Sequence, residues 1–491
     1  MQTVAPLWGL VGTQILLILL PSLIFLRLSK LPFKETIRWR WPGGRLALLS
    51  VLLGIAILPF ALWSGDFFIQ LLGYTPDLPP GFFPTTIGQA VLMLVAIVIL
   101  APFCEEILFR GLVQRPYESF GPWTAILLVG FLFVIFHLSL LRLFALIPVA
   151  LLLGYLVWAS NSVITAILAH AAYNAPVAFL TIIGSMRPDI PLEAYTSLTA
   201  AGIGLLGLIA GLVLFKRYAS PSPPPEIPAR SWSIGSAWPV FIIFFIFIFL
   251  ASIEFVFGRN PELVVNQPLQ LSAPPWEQPE NWQYELRNPL GEAVGEANCR
   301  VSPGEFTYSL DCQVDITAFS VELDRSLFQM DTMTSHSKYY WSAGSLELVQ
   351  AEILHEGEFG WLQATVDSVE DQLILEVHFS DTGYQQISLP PNTLLLDELP
   401  WRLSALPFRV AFGSEATLAW PARWDEELQQ NLPGSKESVI LVHGGEPLAT
   451  PAGNFISWRV SIGQERTAWY SVEPPHTLLR YDDGVLTYLL K

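Results

Sequence analysis

Charge is scarce in this chain: only 14% of its 491 residues are charged, against 52% hydrophobic. Together with a mean hydropathy of +0.45, that excludes an ordinary soluble protein and points to the membrane. Positive charge is scarcer still, with 26 Lys and Arg against 43 Asp and Glu, a net charge of −17. The excess argues against nucleic acid as a partner. It is also uneven: residues 1–257 hold 13 basic and 10 acidic side chains, whereas residues 258–491 hold 13 and 33. Three cysteines are too few for a disulfide-rich scaffold. The first apolar segment has no basic stretch before it and no small-residue cleavage site, so it reads as a retained helix and not as a signal peptide.

What the first half does hold is long apolar runs. About eight reach the ~20 residues a bilayer crossing needs, at residues 6–27, 46–64, 87–113, 123–139, 142–160, 162–184, 197–216 and 236–257. The loop from Arg27 to Arg45 carries six basic residues, which places it in the cytoplasm by the positive-inside rule. Alternation then brings Arg110, Arg115, Lys216 and Arg217 to the same side and leaves the chain after the eighth span outside. The expected organisation is a helical membrane domain over 1–216, a Pro-rich cytoplasmic linker over 217–235 (SPSPPPEIPARS), a further span over 236–257, and an extracytoplasmic β-rich domain over 258–491. The location expected is a bacterial cytoplasmic membrane.

The last part changes pattern to short alternating runs such as WQYEL, LILEVHF and FISWRVSI, separated by turn formers. One or two sandwich-like or half-barrel units are expected there. Cys299 and Cys312 are a disulfide candidate if that side is oxidising. His336, His355, His378, His443 and His476 show no metal-ligand spacing, and LVHGGEP around His443 reads as a turn.

Within the run AIVILAPFCEEILFRGLVQ stand Glu105 and Glu106. A charge at mid-helix costs roughly 2.5–3.5 kcal/mol on insertion scales, so adjacent carboxylates there need a use. Glu106 and Arg110 are four residues apart and can pair on one helix face. Glu105 is turned away by about 100° and is left without a local partner, as a general base requires. Two further polar sets lie in apolar spans: Phe133 with His137, and His170 with Asn174, each four apart. Counting ~1.5 Å per residue from the turn near Ser119–Pro122 brings Glu105 and His137 to matching depth. Cys104 beside them reads as a small buried hydrophobe.

These residues resemble the CAAX-processing and bacteriocin-processing intramembrane proteases, the family of the Ras-converting CAAX prenyl protease, whose pattern is EExxxR, FxxxH and HxxxN on successive membrane helices. The likeness covers roughly residues 85–185. It implies peptide hydrolysis in an all-α membrane bundle. Glu105 and His137 would activate water, His170 and Asn174 would stabilise the oxyanion, and Glu106, Arg110 and Phe133 would complete the set. The substrates implied are membrane-associated peptides or proteins, reached in the bilayer. Whether a cofactor is needed is left open: Glu105, His137 and His170 could also hold Zn²⁺, although no HExxH is present. The alternative function is a non-proteolytic scaffold, self-immunity or envelope-sensing protein that binds partners through the β-domain.

Overall fold

The computed structural model describes residues 6–74, 78–188, 197–220, 234–259 and 269–491, the last apart from 272–273, 324–325, 359, 370–371, 381–382, 391 and 426–429. The chain divides into two compact units, Met1–Pro76 with Gly81–Asn260, and Asp77–Pro80 with Pro261–Lys491. Most of the Pro-rich linker expected over 217–235 lies outside the described residues.

The first unit is helical. Among the described residues seven helices are long and apolar enough to cross a membrane: α1 (Pro6–Leu28), α2 (Gly44–Leu72), α3 (Ile87–Phe120), then α5 (Leu140–Ser160), α6 (Val163–Met186), α7 (Leu198–Tyr218) and α8 (Ile234–Arg259). The protein is an integral membrane protein. Between α3 and α5 lies α4 (Pro122–Ile135), whose 14 residues make a helix of only about 21 Å. The fourth span expected over 123–139 is therefore shorter than read. The chain leaves the helix before His137, and Leu138 takes a left-handed φ of 51° that ends it.

The loops that the charge pattern assigns to one side are bonded to one another. Glu118, at the end of α3, accepts from Arg38 at 2.8 Å and from Arg115 at 2.9 Å. Arg40 donates to the Asn161 carbonyl at 2.5 Å, and the Val163 amide to the Arg38 carbonyl. The basic loop before α2 thus holds together the ends of α3, α5 and α6.

Close packing of α2 against α6 uses a glycine. A Cβ at Gly54 of α2 would stand 2.1 Å from the Ala169 carbonyl oxygen of α6, immediately before His170. Gly54→Val should therefore push the two helices apart, at a cost of about 1–3 kcal/mol or more. The expected result is a lower melting temperature in detergent, and a midpoint equal to wild type would contradict this packing.

The second unit is β. Its strands form one 15-stranded sheet and a two-stranded hairpin, Phe319–Leu323 with Ser326–Met330. From one edge at Gly383–Leu389 the sheet runs as an antiparallel meander back to Glu280–Arg287. There the last strand, Thr487–Leu490, pairs beside the first, and antiparallel neighbours continue to Phe412–Asp425, with Leu394–Leu395 added in parallel at the other edge. Of the sandwich-like or half-barrel units expected, a sandwich of two separate sheets is not formed: most strands pair with a sequence neighbour, and the pairing of Glu280–Arg287 with Thr487–Leu490 joins both halves into one sheet. Its buried face follows the period of two, as in Trp282, Tyr284 and Leu286 or Leu373, Leu375, Val377 and Phe379, all in one continuous core.

LVHGGEP is not a turn but part of the strand Gln430–Thr450, bulged between Val442 and Gly445. Its glycines admit backbone: within this unit the Gly445 amide donates to the Leu78 carbonyl at 2.6 Å. A Cβ at Gly444 would lie 2.3 Å from that same oxygen.

Cys299 and Cys312 stand directly opposite on neighbouring strands and are joined as a disulfide, 13 residues apart in sequence. A closed loop of that size is worth about 3 kcal/mol in the chain-entropy picture. The double variant Cys299→Ala/Cys312→Ala should lower the β unit's calorimetric midpoint by several degrees; an unshifted transition would show that the bond contributes nothing.

Candidate active site

The acidic pair sits in the most irregular helix of the membrane unit. Within α3 the segment Ala101–Glu106 is α-helical, flanked by π-helical windings at Val95–Leu100 and Ile107–Val113. Proline explains part of this. In the first winding the Ala101 amide bonds the carbonyl five residues back, at Ala96. The next donor in that ladder would be Pro102, which has no N–H. The Ile97 carbonyl it leaves open accepts from Asn174 Nδ2 at 2.8 Å. Asn174 thus ties α6 to the segment that carries the carboxylates.

Glu106 is fully buried. Its Oε1 accepts from Arg110 Nη1 at 2.9 Å and from His170 Nδ1 at 2.9 Å. A second Arg110 nitrogen donates to the Ala150 carbonyl of α5 at 3.1 Å. One carboxylate therefore holds both the local cation and the imidazole of α6. Since a carboxylate oxygen accepts, His170 donates through Nδ1 and turns Nε2 to the other side.

Glu105 does not lack a partner, contrary to expectation. Its Oε1 accepts from Gln14 Nε2 of α1 at 2.7 Å. Sequence reasoning passed over Gln14, although it is an amide inside the apolar run LVGTQILLILL. That hydrogen bond orients Glu105 without neutralising it, because an amide brings no charge. Glu105 keeps 8% of its surface exposed whereas Glu106 keeps none, so Glu105 is the carboxyl that water can reach.

His137 lies in the turn after α4, not on the helix. Its Nδ1 is 3.0 Å from the Phe133 carbonyl. A carbonyl only accepts, so Nδ1 carries the proton and Nε2 presents a lone pair in the neutral ring.

Phe133 joins these parts. Its buried ring centroid is 5.0 Å from that of His137 and 5.8 Å from that of His170, and the Arg110 guanidinium lies over its face at 4.3 Å. Glu106, Arg110, Phe133, His137 and His170 thereby form one connected cluster drawn from α3, α4 with the turn after it, and α6, and Glu105 adjoins it as the chain neighbour of Glu106. Asn174 adjoins it through the Ile97 carbonyl.

Residues 87–176 match the family described as type II CAAX prenyl endopeptidase Rce1-like. The matched segment includes all seven motif residues from Glu105 to Asn174, whereas Gln14, α7, α8 and the β unit lie outside it. No curated protein and no solved structure matches the chain. The Rce1-like family is one of proteases, which supports a membrane hydrolase.

Among the described residues no three His, Cys, Asp or Glu groups converge as a metal-ligand set. The Nδ1 contacts of His137 and His170 leave both Nε2 atoms open, as in a metal-ligating imidazole, so these contacts do not decide between a metal and a metal-free site.

Proposed function

We propose that the protein is an intramembrane endopeptidase of the CAAX-protease type, acting on membrane-associated peptides, with Glu105 and His137 activating the attacking water. The observation that carries this reading is the unequal setting of the two carboxyls. Glu106 is enclosed between Arg110 and His170, while Glu105 is held by a neutral amide and remains reachable.

In this reading a water lies between Glu105 and His137 Nε2 and loses its proton as its oxygen attacks the scissile carbonyl. His170 and Asn174 stabilise the oxyanion that forms. With Nδ1 donating to Glu106, His170 Nε2 can donate only from the doubly protonated ring, a form whose charge the Glu106 carboxylate offsets. Asn174 keeps one amide hydrogen beyond the one given to Ile97. The collapsing tetrahedral intermediate returns the proton to the leaving amine through Glu105 or His137. No step requires a metal. In the same reading the β unit faces the extracytoplasmic side, an assignment that its disulfide supports.

The test is purified protein in lipid nanodiscs with a prenylated CAAX-type peptide and its unprenylated counterpart, products identified by mass spectrometry. Cleavage that survives EDTA and 1,10-phenanthroline is expected. Absence of cleavage with both peptides contradicts the assigned substrate class, and loss of cleavage with either chelator contradicts the metal-free mechanism.

A further inference from the structure

Glu254, in the run FLASIEFVFGR of α8, is a carboxylate of the membrane unit that has no part in the cluster above. Its two oxygens reach the turn that carries His137. Oε1 accepts from the Ser139 hydroxyl at 2.9 Å, and Oε2 accepts from the Leu140 amide at 2.6 Å. Ser139 is the N-cap residue of α5, yet its own side chain makes no capping bond to that helix. Glu254 supplies the cap from another helix, where the helix dipole also favours a negative charge.

The turn needs such a hold. Between the end of α4 and the start of α5 only four residues remain, and Leu138 among them has a positive φ of 51°. That conformation costs a non-glycine residue on the order of 1–3 kcal/mol and persists only where its surroundings enforce it. The packing of α8 is consistent with a fixed clamp. Phe247 and Ala251, on the turns before Glu254, are buried in the cluster that includes Leu132, Phe133, Ile135 and Ala150. Beyond it, the Tyr74 ring lies 6.2 Å from that of Phe255, and a Cβ at Gly258 would meet the Tyr74 ring at 2.5 Å.

We infer that Glu254 is a positioning residue for His137: by capping α5 and holding Ser139 it sets the turn that aims His137 Nε2 toward Glu105. The eighth helix is then a working part of the site, although it lies outside the matched segment 87–176. The inference deepens the protease reading and rests on it for the role of His137, but the clamp itself can be measured without cleavage.

The experiment uses the full chain in nanodiscs, comparing Glu254→Ala, Glu254→Gln and Ser139→Ala, with Ser252→Ala as a control on the same helix. Carbethoxylation of His137 by diethyl pyrocarbonate is followed by mass spectrometry with His170 as internal reference, alongside hydrogen exchange of the 136–141 segment. Glu254→Ala should speed exchange of that segment about tenfold or more and change the His137 reaction rate severalfold, with His170 unchanged. Turnover of the prenylated peptide should fall on the order of 10- to 100-fold at unchanged KM, as a small misplacement of a catalytic group does. Glu254→Gln, which can accept from Leu140 and donate to Ser139, should restore most of each property; Ser139→Ala should show a smaller change of the same kind. An unchanged His137 reaction rate in Glu254→Ala overturns the inference, as does a turnover loss that only follows the folded fraction. Should wild type cleave neither peptide, the protease reading fails while the His137 rate still decides whether Glu254 positions that ring.

Discussion

Glu105→Gln will fold, keep its contact with α1, and lose on the order of 10²- to 10⁴-fold in turnover, the usual contribution of a positioned general base. The amide is nearly isosteric, so the hydrogen-bonding place beside Gln14 Nε2 stays filled; what disappears is a group able to take a proton. His137→Ala should cause a loss of similar size. Because both residues act on one water, the double variant should be little worse than either single one. Additive losses would show that the two act on separate steps. Thermal midpoints for Glu105→Gln should stay within a few degrees of wild type, since the carboxyl retains some exposure. A large fall there would make Glu105 a structural residue.

The second large effect concerns stability. Removing Arg110 leaves Glu106 wholly buried with His170 as its remaining partner. Breaking a buried pair on one side costs about 3–5 kcal/mol, so Arg110→Met should melt much earlier than wild type and be inactive. Arg110→Lys should rescue little. The guanidinium serves Glu106 and the Ala150 carbonyl through different nitrogens and lies flat over Phe133, none of which an ammonium reproduces together. Replacing both charges, as in Glu106→Leu/Arg110→Met, should recover much of the lost thermal stability and no activity. Activity in that double variant would remove Glu106 from the mechanism; a midpoint as low as in Arg110→Met would show that the charge pair is not what holds these helices.

The site was legible in the sequence where its chemistry follows helical spacing. Glu106 and Arg110 four residues apart, Phe133 and His137, and His170 and Asn174 all lie at separations that a helix turns into neighbours. The rest depended on backbone features with no local signature. The π windings on either side of Ala101–Glu106 and the positive φ of Leu138, which takes His137 off its helix, are examples. Gln14 and Glu254 are a different kind of omission. Each is a conspicuous polar residue in an apolar run, but its partner is 91 and 114 to 115 residues away, beyond what periodicity can reach. In the β unit the alternation of Trp282, Tyr284 and Leu286 marked a buried face. The closure that sets the sheet, Tyr284 pairing with Leu490 across the whole unit, is a long-range contact that no run of residues announces.

The most direct test of a water activated by Glu105 is cleavage of the prenylated peptide in H₂¹⁸O under single-turnover conditions, comparing wild type with Glu105→Gln at equal folded protein. The account predicts one ¹⁸O atom in the newly formed carboxylate with wild type and on the order of 10²-fold or greater slowing with the variant. A variant that cleaves at the wild-type rate, or a covalent peptide–enzyme adduct preceding ¹⁸O uptake, would contradict it.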